Sequence, residues 1–142
     1  MRVGPAHPSH YQWIAERAGL FIGPAFRAIE AIDDSGRIHG MVGYDGWTDN
    51  AAHMHVALAH PAAARHLLGP AFRIPFAELG KGLVIATVLS TNARSLALMP
   101  GLGFVEKCRI RDGQKVGVDI VLFEMRREQC RWLSREPLRK AG

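Results

Sequence analysis

The chain has 142 residues, 48% of them hydrophobic and 22% charged, with a formal net charge of +5. That length suits one domain over residues 1–142, and that balance excludes a disordered chain. No apolar run approaches the roughly 20 residues of a membrane span, and "MRVGPAHPSHYQW" lacks the apolar core of a secretion signal, so no membrane partner and a cytoplasmic location are expected.

In chain order, Ser9 is expected to cap a short helix, "HYQWIAERAG", that stops at Gly19. Phe26, Ala28 and Ile29 open a strand, "DDSG" turns the chain, and Ile38, Met41, Val42 and Tyr44 return as the second strand of a hairpin. "DGWTDN" is a second turn. In "AAHMHVALA", His53, His55 and Ala57 alternate with Met54, Val56 and Leu58, the period of a strand. One face joins the core, and the other sets two imidazoles toward solvent or a cleft.

"HPAAARHLLGPAFRIPFAELG" is the longest helical candidate, with Leu67, Leu68, Ala71, Phe72, Phe76 and Leu79 at helical spacing. Pro70 and Pro75 leave two outcomes open: a kinked helix, or a turn followed by a helix from Pro70. "GLVIATVL" reads as a buried central strand. In "TNARSLALMPGLGF", Asn92 caps a short helix that Pro100 and Gly101 are expected to stop, and Phe104 enters the core. "FVEKCRIR" and "VGVDIVLFEM" form a last hairpin, with its turn expected at Asp112 and Gly113. A mixed α/β sheet with helices on both faces follows, and the strands at 53–58 and 83–89 should be parallel neighbours in a β-α-β unit.

The two cysteines, Cys108 and Cys130, make no disulfide framework and lack zinc-site spacing, and Cys108 is expected to be buried. His53 and His55 share a strand face, but no second ligand pair with recognisable spacing follows, so no metal site is expected. The net charge favours anionic partners. Much of it lies in a basic tail from about residue 126, "MRREQCRWLSREPLRK". Basic and aromatic residues are not interleaved on one surface, so nucleic-acid binding ranks last.

With these elements in place, the chain resembles the GNAT superfamily of acetyl-CoA-dependent N-acetyltransferases from about residue 25 to 130. The most specific part is Asn92, Ser95, Leu98, Leu102, Gly103 and Phe104, which match the recurring "NxxSxxLxxxLGF". "MHVA", "FRIPFAELG" and "REQCRWL" resemble a small phage and prophage branch of that superfamily.

The resemblance implies a GNAT-like acyl-CoA N-acyltransferase fold, acetyl-CoA as co-substrate, and direct attack of a primary amine on the thioester. The identity of the amine acceptor is open. The pantetheine arm would add to the strand edge at Val56, Ala57 and Leu58. The pyrophosphate would meet the start of the long helix. There His66-Leu67-Leu68-Gly69-Pro70-Ala71 stands for the family's Gln/Arg-x-x-Gly-x-Gly/Ala turn, with Arg65 as an added cation. Asn92 would contact cofactor or substrate. Met99 stands where many relatives keep a tyrosine that protonates the thiolate, which leaves Ser95 or a water for that step. His55 and His53 are the candidate bases, with Asp49 behind them. An ordinary strand-histidine reading remains beside that role. Tyr44, Trp47 and Trp13 are candidate acceptor-pocket linings, and Trp132 and Leu133 dock the C-terminal segment onto the sheet or onto a second subunit of a homodimer. The alternative function is a weak or inactive phage or prophage interaction or assembly protein of the same fold.

Overall fold

The computed structural model describes residues 1–134. Seven strands form one mixed sheet: β1 (Arg2–Pro5), β2 (Arg27–Ile32), β3 (Ile38–Asp45), β4 (Ala51–Leu58), β5 (Leu83–Leu89), β6 (Val105–Lys115) and β7 (Val118–Arg126). Their spatial order is β1-β2-β3-β4-β5-β7-β6. Neighbours are antiparallel except β4 and β5, the predicted parallel pair. Among the described residues four α-helices accompany the sheet: α1 (Tyr11–Ala18), α2 (Ala63–Arg73), α3 (Ala93–Leu102) and the short α4 (Arg131–Ser134). Among the described residues, no helix is long and apolar enough to cross a membrane.

Each face of the sheet has its own core. On one face Ile29, Val42, Tyr44, Met54, Val84, Ala86 and Phe123 meet Leu67, Ala71 and Phe72 of α2 and Met99 and Leu102 of α3. On the other, Ala28, Met41 and Ala57 meet Phe26 and Ile14, the last from α1. The expected hairpin turn at "DDSG" is held by one side chain. Asp33 Oδ1 accepts from the Ser35 amide at 2.9 Å, the Ser35 hydroxyl at 2.6 Å and the Arg37 amide at 3.0 Å. Its Oδ2 lies 2.7 Å from His39 Nε2. These bonds hold the Asp33 carboxyl below the usual range.

The prolines of the long helix act differently from one another. The helix runs through Pro70 rather than starting there. Pro70 cannot donate to the carbonyl of His66, whose exposed position lets water serve it. Pro75 opens a π-helical turn over Ile74–Glu78 that ends the helical run. Its missing N–H deprives the Ala71 carbonyl of a partner, and the Tyr44 hydroxyl donates to that oxygen at 2.6 Å instead.

Several expectations give way to packing. β1 was not anticipated. It is a four-residue edge strand ending in Pro5, where a proline is tolerated. Ser9 caps nothing: the His7 side chain accepts from the Ser9 amide at 3.1 Å, and α1 ends at Gly19 in the left-handed conformation as expected. Pro100 and Gly101 lie inside the last turn of α3, which stops at Gly103, φ 105°. The last hairpin turns at Val116 and Gly117. Asp112 and Gly113 instead form a wide irregularity, in which Asp112 Oδ1 accepts from the Gly117 amide at 2.8 Å. Cys108 is exposed, not buried, because the edge strand β6 is exposed along its whole length. β5 is buried on one side only: Val84, Ala86 and Val88 face the core while Thr87 is exposed.

Residues past Ser134 of the expected basic tail lie outside the described residues. Its described part is not simply solvated. The Arg127 guanidinium donates to the Lys81 carbonyl at 2.8 and 3.2 Å, and the Trp132 ring stacks on Phe72 with its Nε1 donating to Leu102 O at 2.7 Å. Trp132 thus docks the described part of this segment onto α2 and α3 of its own chain.

Candidate functional site

β4 and β5 start side by side and then part. Only Ala51–Leu83, Ala52–Val84 and His53–Ile85 are paired. Beyond them the strands diverge, and the gap opens into a cleft of about 800 Å³. Its walls are Met54 to Leu58 of β4 and Ala86 to Leu89 of β5. α3 contributes Arg94, Ser95, Ala97, Leu98 and Met99, and Asn92 stands at its mouth. The edge of β4 that faces this gap carries backbone groups with no β5 partner past His53. An extended ligand can add to such an edge.

Of the residues singled out from the sequence, Val56, Ala57, Leu58, His55, Asn92 and Ser95 line this cleft together. Asn92 caps α3, its Oδ1 accepting from the Ser95 amide at 3.1 Å. Met99 lies at the cleft floor and is buried.

Arg65, His66 and Gly69 do not line it. α2 begins at Ala63, so the segment 66–71 lies within the helix rather than at its entry turn. Ala63 and Ala64 have the highest interior helix propensity of any residue type and favour a start ahead of this segment. Arg65 and His66 are exposed near the start of α2, and Gly69 falls in its middle. The first two helical amides are committed: Ala63 N donates to His60 O at 3.0 Å and Ala64 N to Pro61 O at 3.1 Å.

The aromatic candidates for an acceptor pocket go elsewhere. Tyr44 is fully buried and holds α2, and burial pushes its phenol far up. Trp47 Nε1 donates to Ala25 O at 3.1 Å. Trp13 packs against the α1-side core, with the Arg17 guanidinium 3.9 Å over its ring. Lining from this side comes from Glu16, Arg17, Ala18 and Gly19 at the end of α1, which no local pattern in the sequence marks.

Beside the cleft on β4 stands a polar cluster of which His55 lines the cleft, while His53 and Asp45 are not among the lining residues. The rings of His53 and His55 stack with centroids 4.8 Å apart. His55 Nε2 lies 2.8 Å from Asp45 Oδ1, a residue of β3 that sequence reasoning missed. The missing signal is the register: Asp45 pairs with His53 across the sheet, which a list of spacings cannot show. An ionised carboxylate only accepts, so the Nε2 of His55 carries a proton, and whenever the ring is neutral its lone pair is therefore on Nδ1. His53 Nε2 is 3.3 Å from Thr87 Oγ1 of β5. Burial, and then the neighbouring His55, hold His53 below the usual histidine value, so its ring is neutral. Asp49 is not among the cleft residues.

No known family profile matches the chain, and no characterised protein matches it in sequence. Solved structures do match in shape. Mutant forms of the spermidine/spermine N-acetyltransferase SpeG from Vibrio cholerae superpose with a TM-score of 0.74 at 14% identity, over 95% of this chain and 98% of that one. SpeG from the same organism in an intermediate, dodecameric state gives 0.71 at 15%, over 95% and 97%. A candidate phosphinothricin N-acetyltransferase gives 0.70 at 14%, over 88% and 97%. The seven-stranded mixed sheet with its helices has the fold of the GNAT N-acetyltransferases.

Proposed function

We propose that the protein is an N-acetyltransferase that moves the acetyl group of acetyl-CoA to a primary amine by direct attack. One observation carries the reading: the parallel pair β4/β5 is joined over three residue pairs and then opens into a cleft large enough for a pantetheine arm. The arm would bond to the β4 edge at Val56, Ala57 and Leu58. The thioester would then lie between Met54–Val56 and Ser95. With the Ala63 and Ala64 amides committed, cationic side chains are the natural phosphate partners. Arg65 and His66 near the start of α2 and Arg94 at the cleft fill that role, and the mid-helix Gly69 would do no more than leave space there.

The His55 Nδ1 lone pair would take the proton of the attacking ammonium, with Asp45 fixing the tautomer through Nε2. His53 would position that ring by stacking. A β4 backbone amide would meet the oxyanion. Met99 cannot donate a proton, so the thiolate would leave toward Ser95 or a water.

Isothermal calorimetry with acetyl-CoA tests the reading. Saturable binding, followed by thiol release when a panel of amines is added, is the expected result. Binding weaker than millimolar would end it. A second reading, a weak or inactive phage or prophage interaction module of the same fold, draws on the committed α2 amides and on Met99. It predicts no thiol release with any amine.

A further inference from the structure

We propose that Asp45, His53 and His55 form a binding site for a divalent transition ion of the zinc class. One ligand atom from each residue can be chosen so that all three lie within 4.8 Å of one another. They stand on two adjacent strands of one sheet, Asp45 facing His53 in the register and His55 next along the same face of β4. The backbone therefore fixes all three, and only side-chain rotation is needed to close the site.

With metal–ligand distances of about 2.0–2.1 Å, tetrahedral ligands sit roughly 3.3 Å apart. The His55–Asp45 contact of 2.8 Å must open by about 0.5 Å, and the widest separation must close by about 1.5 Å. Both changes lie within small rotations about χ1 and χ2. The side chains of His55 and Asp45 are 15% and 30% exposed, so an ion can reach them. Thr87 Oγ1, 3.3 Å from His53, supplies an outer partner. Gly46, φ +57°, leaves room on the other side, where a Cβ would come within 3.2 Å of His53 Cβ.

Two imidazoles and one carboxylate suit zinc, cobalt or nickel and not magnesium or calcium. Three protein ligands leave a position open toward the cleft that His55 lines. The ion would take the place of the proton between His55 Nε2 and Asp45, and the neutral ring would keep its proton by moving it to Nδ1. The site does not depend on acetyl transfer, but the two uses exclude each other: a ring metallated at Nε2 has no lone pair left on Nδ1.

The test titrates the full chain with zinc by calorimetry and with cobalt by visible absorption, using magnesium as control. Expected are one zinc per chain at micromolar or tighter affinity, the absorption of four- or five-coordinate cobalt, and a shift of the His55 ring nitrogens to the other tautomer in 15N NMR. D45N, H53Q and H55Q should each weaken zinc by more than the roughly 10–100-fold that loss of an outer partner costs. The double variant H39Q/H60Q, remote from the cluster, should bind zinc as the parent does. Circular dichroism without metal checks that each variant is folded, and a zinc-dependent rise in Tm of the unsubstituted chain gives a readout that needs no variant. No saturable zinc binding, or binding unchanged in folded D45N, would overturn the proposal. Acetyl-CoA titration of the same samples keeps its failure separate from that of the enzymatic reading.

Discussion

Replacing Tyr44 with phenylalanine separates two roles that the sequence left open. As an acceptor-pocket residue, Tyr44 would affect turnover and leave stability alone. The structure assigns it to the fold: its hydroxyl is the donor to Ala71 O, which Pro75 cannot serve. Both residues are fully buried. Y44F therefore strands a buried carbonyl, at a cost of about 1–3 kcal/mol. At this chain length that corresponds to roughly 3–15 °C in Tm. Urea unfolding with an unchanged m-value is the assay. A second measurement isolates the cause. Pro75→Ala supplies an amide one turn along from Ala71, so Y44F in that background should cost less, with a coupling of about 0.5 kcal/mol or more. A cost below about 0.5 kcal/mol in the parent chain, or the same cost in both backgrounds, would refute the reasoning.

Three further outcomes follow from the site and the turn. H55A should lower kcat for acetyl transfer by about 10²–10⁴-fold while leaving acetyl-CoA affinity within a few fold, as calorimetry beside a thiol-release assay will show. A97W places a large ring in the cleft from an exposed position, so it should weaken acetyl-CoA by at least tenfold without lowering Tm; unchanged affinity would move the cofactor out of this cleft. The Asp33 carboxyl is held below its unfolded value, so it contributes stability that is fully present above about pH 4 and is lost as pH falls toward the depressed value. D33N should flatten the acid limb of a Tm–pH curve.

The sheet was legible because its signals are local. Alternation in "AAHMHVALA", the Asp33 turn and the Asn92 cap each fix a few neighbouring residues, and each appears where the pattern placed it. What escaped depends on distance. The segment 66–71, matched to a pyrophosphate turn, lies inside α2 because the helix already starts at Ala63, in an alanine run of high helix propensity. The hairpin turn moved because Asp112 serves the Gly117 amide rather than turning the chain itself. Asp45 reached the histidines through a pairing between strands whose connecting loop contains no hint of register. Half of the candidate site was therefore readable, namely β4 and the α3 cap, while its charged partner and its α1 wall were not.

The width of α1 has a direct bearing on access to that site. An α-helix about 10 Å wide covers roughly two strands at 4.8 Å spacing. α1 packs on β3 and β4, so β5 and β7 lie beyond its reach on that face. Thr87 stays exposed there, and the His53–His55 pair sits at the margin of the covered strip with its polar atoms turned toward β5 and Asp45. On the opposite face α2 and α3, the latter through Met99, bury Val84 and Ala86. The cleft is consequently asymmetric: an acyl chain can be held along the β4 edge while a second molecule approaches from the side that α1 leaves open. Of the charged residues that line the cleft, Glu16 and Arg17 stand at the end of α1 and Arg94 stands on α3. Selection among amines would then fall to those three side chains together with His55, a small set that single substitutions can dissect.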